Sequence, residues 1–251
     1  MQTRHAARTA AAALVLAAAG LASAQTVTTT FSNGAEGWYA PQGPGGTSGI
    51  LPTGGAGDNT HHLRTVFNNF GIYFGNNTNA AFLGDYRRAP SVTISSDVQV
   101  DQVDFFFQPV SRPWLVELRN YDLAEQLELG VPWVSVWYAF DPLDASVQTD
   151  WTHYSVTIAD TSATDLPAGW GGYGDEDPNT FEPILPAGVT FADVISNVQE
   201  IAWSTFEPGW FFGFTDFNVG FDNASISFIP APSSALALLG AGLLGASRRR
   251  R

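Results

Sequence analysis

Between residues 25 and 228 the chain is punctuated by Gly, Pro, Asn and Asp, and the stretches between these breakers are short and rich in Val, Ile, Thr and aromatic residues. Breakers at that spacing leave almost no room for helix and confine the chain to many short strands. Alternation then assigns faces. In 91–100, Val92, Ile94, Val98 and Val100 share one face around a Ser-Ser-Asp interruption. In 114–121, Trp114, Val116, Leu118 and Asn120 face one way, and Leu115, Glu117, Arg119 and Tyr121 the other. Residues 131–140 and 151–158 read as two more strands, the latter with Trp151, His153, Ser155 and Thr157 opposite Thr152, Tyr154, Val156 and Ile158. Residues 221–228 read as the last strand. A single helical turn is expected over 191–198, where Phe191, Val194, Ile195 and Val198 recur at helical spacing and lead into a strand around 201–205. The fold class implied is all-β, an antiparallel β-sandwich. The Gly-rich stretch 43–57 reads as a loop, without the G-K-[ST] element or following helix of a phosphate site.

Charge narrows the partners. All 11 basic residues are arginines; two lie in the first 24 residues and four at the extreme C-terminus, leaving five against all 24 acids in the middle. Such a domain does not bind nucleic acid, which needs Lys and Arg to displace phosphate counterions. Its acidity fits an extracellular surface, cation binding, or plain solubility. Cysteine is absent, which excludes zinc-finger, iron–sulfur and thiol-nucleophile chemistry. About 200 residues suffice for a core held by burial alone.

Residues 1–24 read as a secretory signal helix: Arg4 and Arg8 form the positive n-region, 10–21 an Ala-rich apolar stretch, and Ala22-Ser23-Ala24 the small-residue cleavage site before Gln25. The folded domain is expected over 25–228 and a tail over 229–251. In the tail, Pro230, Ala231, Pro232 and Ser233 precede an apolar run of 12 residues, 235–246, and then Arg248, Arg249, Arg250 and Arg251. As a short hydrophobic helix at about 1.5 Å per residue, that run covers only part of a ~30 Å hydrocarbon core, so its insertion is weak and transient. The arginines act as a cytoplasmic membrane stop, with the domain outside. An uncleaved C-terminal anchor is the plain alternative.

This layout resembles the PEP-CTERM sorting signal of Gram-negative bacteria, with Ala231 where that family usually has Glu. The resemblance implies a sorting protease of exosortase type as partner, and delivery to the cell surface, outer envelope or extracellular matrix.

The order of landmarks in the middle is similar to a laminin-B or galactose-binding-like jelly roll. Thr30-Phe31 with Gly34 to Trp38 resembles its opening strand, Ala81 to Tyr86 the start of its next part, Leu166 to Trp170 a loop after the 151–158 strand, and Gly220 to Asn223 its close. The resemblance implies a jelly-roll fold and raises a structural calcium held by Glu36 and Asp222, the two carboxylates that bracket the domain. The alternative is that Glu36 caps a turn and Asp222 bonds backbone beside Asn223. Asp175-Glu176-Asp177 lacks the spacing of an EF-hand loop and reads as a solvated acidic loop.

Ligand binding is hinted at only by aromatic richness, 13% of the chain. Trp203, Trp210, Phe211, Phe212, Phe214 and Phe217 crowd the segment before the last strand, and Trp133, Trp137 and Tyr138 lie upstream. Sugar CH faces stack on exposed rings. Half of these rings must fill the core, so Trp170 and Trp210, in Gly-containing turns, are the ligand-binding candidates. His61, His62 and His153 have no third ligand at recognisable spacing, and no catalytic motif occurs. The chain therefore reads as a non-catalytic exported protein binding an exopolysaccharide or other glycan. The alternatives are a matrix protein with only protein contacts and a polysaccharide-processing enzyme.

Overall fold

A computed structural model of the chain describes residues 23–57 and 61–231. The signal over 1–24, except Ser23 and Ala24, lies outside the described residues, as do Pro232, Ser233, the apolar run and Arg248 to Arg251.

Among the described residues the strands are β1 Gln25–Thr29, β2 Trp38–Tyr39, β3 Gly46–Leu51, β4 His62–Asn69, β5 Tyr73–Asn76, β6 Ser91–Phe105, β7 Gln108–Pro109, β8 Arg112–Asn120, β9 Val134–Leu143, β10 Thr152–Ile158, β11 Trp170–Tyr173, β12 Asp175–Glu176, β13 Pro183–Ile184, β14 Glu200–Ser204 and β15 Thr215–Ile229. They form two packed antiparallel sheets. One runs β10-β6-β15-β4-β3, with β1 added to β15 and β7 to β6. The other runs β11-β9-β8-β14-β5-β2. β12 and β13 make a separate two-stranded ribbon.

The faces follow the alternation. Val92, Ile94, Val98 and Val100 are fully buried, as are Trp114, Val116 and Leu118 from the facing sheet. Phe74 of one sheet stacks on Phe221 of the other at 4.6 Å, and Trp203 stacks on Trp114 and Phe140 at 5.9 and 5.3 Å. Tyr154, Val156 and Ile158 turn inward from β10 as expected. β15 starts six residues before its expected boundary. Its N-terminal half pairs with β4 and its C-terminal half with β1, on either side of a bulge at Asp222–Ser225 where Asn223 has φ 47°. Gln25 thus lies opposite Phe228, so the domain's first and last residues meet at one end of the sheet.

Two expectations change. The helical turn resolves into α2, Phe191–Val194, closed by a capping box from Thr190 and Asp193, but it is not alone. A second helix, α1 Tyr121–Gln126, starts where the Asn120 side chain accepts from the Leu123 N–H. The stretch 43–57 is not all loop, since β3 pairs along β4 from Gly46↔Phe67 to Leu51↔His62. A side chain on Gly46 would come within 2.1 Å of the Val66 carbonyl oxygen, so glycine here serves close backbone approach.

Candidate binding face

The six-stranded sheet buries one face in the core and turns the other outward. Strand pairing lines up its outward residues. One row crosses all six strands as Tyr39, Gly75, Ala202, Glu117, Trp137 and Gly171. A second is Glu200, Arg119, Ser135 and Tyr173, and a third Tyr73, Ser204, Leu115 and Ala139. Small residues form the floor of this face and large rings lie over it. A Cβ on Gly171 would fall 2.3 Å from the Trp137 indole, and one on Gly75 would fall 2.7 Å from the Tyr39 ring. Both side chains therefore reach across onto the neighbouring strand.

At the centre stands a closed polar network. Glu117 and Glu200 are 2% and 3% exposed. Arg119 gives Nε and Nη2 to Glu117 Oε2 at 2.8 and 2.6 Å and Nη1 to Glu200 Oε1 at 2.5 Å. Trp133 Nε1 and Ser135 Oγ donate to Glu117 Oε1 at 2.9 and 2.6 Å, and the Tyr121 hydroxyl donates to Glu200 Oε2 at 2.8 Å. The guanidinium also lies 4.1 Å from the Trp133 ring centre. Burial would lower the Arg119 pKa, and the two carboxylates outweigh it and hold it above its ordinary value. Burial and then the adjacent Glu200 push Tyr121 up to about 12 and raise Tyr39 further. These phenols stay protonated donors. Every carboxylate oxygen of the network but Glu200 Oε2 accepts from Arg119 or from two neutral donors, and that one holds Tyr121.

The sequence candidates fall elsewhere. Trp170 is 8% exposed, because it lies opposite Tyr138 in the register of β11 and β9 and so faces inward, packed on Tyr138 and Phe191. A neighbouring residue placement, Gly171 opposite Trp137, is the one that faces outward. Only an edge of Trp170 reaches a groove of ≈ 800 Å³ formed by β10 and the 159–168 loop, to which Trp210 does not contribute. Trp210 is 64% exposed, as expected.

Glu36 Oε2 accepts from inward-facing Thr29 at 3.2 Å. Asp222 has the opposite parity on β15 and accepts from the backbone of Ala56 at 2.8 Å and Asn223 at 2.7 Å on the sheet's other side. Among the described residues no group of three or more His, Cys, Asp or Glu is placed to hold a metal ion. Asp177 caps its own turn through the N–H groups of Asn179 and Thr180. His153 pairs with Asp97 at 2.7 Å, and His62 is buried beside Trp151. The residues that build the face were visible in part: alternation in 114–121 puts Glu117 and Arg119 opposite the Trp114 side, and Trp133 and Trp137 were among the upstream aromatics. Nothing in the sequence pairs Glu200 with Arg119.

No curated protein matches the chain in sequence. Among solved structures it is similar to the CBM22-1–GH10 modules of endo-1,4-β-D-xylanase 10B from Clostridium thermocellum, complexed with xylohexaose, at 12% identity and a TM-score of 0.44. That match covers 80% of this chain and 28% of that one, so this chain spans under a third of its length. It is also similar to the family 11 carbohydrate-binding module of the same organism, in complex with a β-1,3-1,4-mixed-linked tetrasaccharide (12% identity, TM-score 0.43, 82% and 96% coverage). A carbohydrate-binding module specific for non-crystalline cellulose, CBM28, gives 12% identity and a TM-score of 0.34 over 78% of this chain and 89% of that one. Residues 228–251 match the family model of the PEP-CTERM protein-sorting motif, a signal that implies export and a cell-surface or envelope destination.

Proposed function

We propose that this protein is a non-catalytic glycan-binding module of jelly-roll type, exported and delivered to the cell surface or matrix. An exosortase-like protease acts at Pro230 to Ser233, after transient membrane insertion of the apolar run. The observation that carries the binding role is the cross-sheet row in which the Tyr39 and Trp137 rings reach over Gly75 and Gly171, one on each side of the Glu117–Arg119–Glu200 network. Aromatic rings on a sheet face offer π faces to the CH faces of pyranose units, and the bonded network between them holds the sheet floor rigid. The non-catalytic part rests on that network, whose carboxylates are bound by Arg119 and by neutral donors.

The test is affinity electrophoresis of the full chain, kept in mild detergent, through gels containing a panel of polysaccharides, with and without EDTA. Retardation by at least one polysaccharide, lost in Trp137→Ala and Tyr39→Ala and kept in Trp210→Ala, is expected. Free migration in every gel would overturn the reading.

A second reading, a matrix protein with only protein contacts, is favoured by the sheet end opposite to Ile229. There Phe106 and Phe107, 78% and 87% exposed, form a hairpin tip with φ of 49° and 62°, and Phe211 and Phe214 lie exposed against Phe70.

A further inference from the structure

At one side of the ring-covered face lies a small cavity of ≈ 180 Å³, walled by Trp133, Tyr173, Phe206 and Glu207 and floored by Glu117 and Arg119. Its size and its charge both select a ligand. Sites for whole small molecules run to roughly 300–1,000 Å³, so this one admits a headgroup or one edge of a sugar rather than a complete ligand. The walls present aromatic faces, with Trp133 and Tyr173 ring centres 6.2 Å apart, and π faces carry negative potential.

The fixed charge has the same sign. Arg119 spends Nε, Nη1 and Nη2 on Glu117 and Glu200, which leaves that triad with one net negative charge. Glu207 adds a second, and burial raises its carboxyl above its ordinary value. No lysine exists in the chain to balance it. Aromatic rings together with a carboxylate are the chemistry that receives an organic ammonium ion.

The geometry points to this cavity as a subsite for a primary ammonium group carried by a hexosamine unit of the bound glycan. The inference rests on the glycan-binding reading, because the cavity shares Glu117, Arg119 and Tyr173 with the outward rows of the sheet. It narrows the substrate class to polysaccharides with free amines and disfavours uronic-acid polymers, which would meet like charge. An ammonium on a protein or lipid would satisfy the cavity alone but would leave the Tyr39 and Trp137 platforms unused.

The test titrates the full chain with β-1,4-linked glucosamine hexamer, its fully N-acetylated counterpart, cellohexaose and free glucosamine. Binding is read by calorimetry and by the indole N–H signal of Trp133, assigned with Trp133→Phe. The glucosamine hexamer should bind about tenfold more tightly than the acetylated one, and Glu207→Gln should remove that advantage while changing cellohexaose affinity less than about twofold. Equal affinity for free and acetylated amines, or equal loss for all sugars in Glu207→Gln, overturns the ammonium subsite and leaves the glycan face standing. Free glucosamine shifting the Trp133 signal, with no hexamer bound more tightly than the monosaccharide, keeps the ammonium subsite and rejects the extended glycan face. Absence of any response to both glucosamine and its hexamer rejects the subsite outright.

Discussion

Arg119 on β8 stands directly opposite Glu200 on β14, and its Nη1 donates to Glu200 Oε1 at 2.5 Å while the same guanidinium binds Glu117 two residues away. Taking these charges out of water costs several kcal/mol per ion, and the cost is offset because each carboxylate oxygen and each guanidinium nitrogen meets a partner. Removing the shared cation should therefore be severe. Arg119→Met should destabilise the fold by about 3–5 kcal/mol by leaving two nearly buried carboxylates unpaired, a loss read as a lower urea midpoint at pH 7. The double variant with Glu117→Gln should recover part of it. Additive losses would show that the three groups do not act as one network.

The two tryptophans singled out in the sequence should separate cleanly. Trp170→Ala removes a ring packed on Tyr138 and Phe191 and should cost about 3–5 kcal/mol of stability. Trp210→Ala, at an exposed turn, should change stability by no more than about 0.5 kcal/mol. Paired thermal melts of the two variants decide this, and similar melting temperatures would contradict the inward orientation of Trp170.

The placement of these rings depends on the glycines they reach over. Gly171→Ala places a methyl 2.3 Å from the Trp137 indole, so the ring must lift off the sheet. Overpacking of this kind costs about 1–3 kcal/mol. The change in polysaccharide affinity should match that of Trp137→Ala even though the indole is still present. Unaltered affinity would mean that ring orientation is irrelevant to binding.

Acid sensitivity has an identifiable source on the seven-stranded sheet. His62 is 3% exposed beside Trp151, with Arg64 on the same strand face and Asp101 bonded to Arg64. Burial first and the Arg64 charge second push its pKa down to about 4. In the unfolded chain the imidazole takes a proton near pH 6.5, so between the two values the unfolded state holds the extra proton. Stability should be unaffected above about pH 6.5 and fall by on the order of 3 kcal/mol as the pH drops to about 4. Urea unfolding at pH 7.5, 5.5 and 4 should show the decline, and His62→Leu should flatten that part of the profile.

A metal-removal experiment tests the remaining site expectation. Glu36 is bonded to Thr29 on the inward side and Asp222 to the backbone of Ala56 on the other. The melting temperature should be the same in EDTA and in millimolar calcium. A calcium-dependent rise abolished by both Glu36→Gln and Asp222→Asn would establish the shared site.

The sequence by itself determined which residues of each strand share a face, because side chains alternate with a period of two whatever the strand packs against. Trp114, Val116 and Leu118 against Glu117 and Arg119, or Val92, Ile94 and Val98 along β6, were readable for that reason. It also carried the sorting motif, whose elements are contiguous. It misjudged Trp170 by treating a glycine-flanked tryptophan as a turn residue, when pairing with Tyr138 fixes its direction. Only the tertiary structure decided which face meets water and which strands are neighbours. Glu200 meets Arg119, and Tyr39 joins Trp137 in one row, across gaps of about 80 and 100 residues, through strand order and register set by the whole sheet rather than by any local stretch of chain.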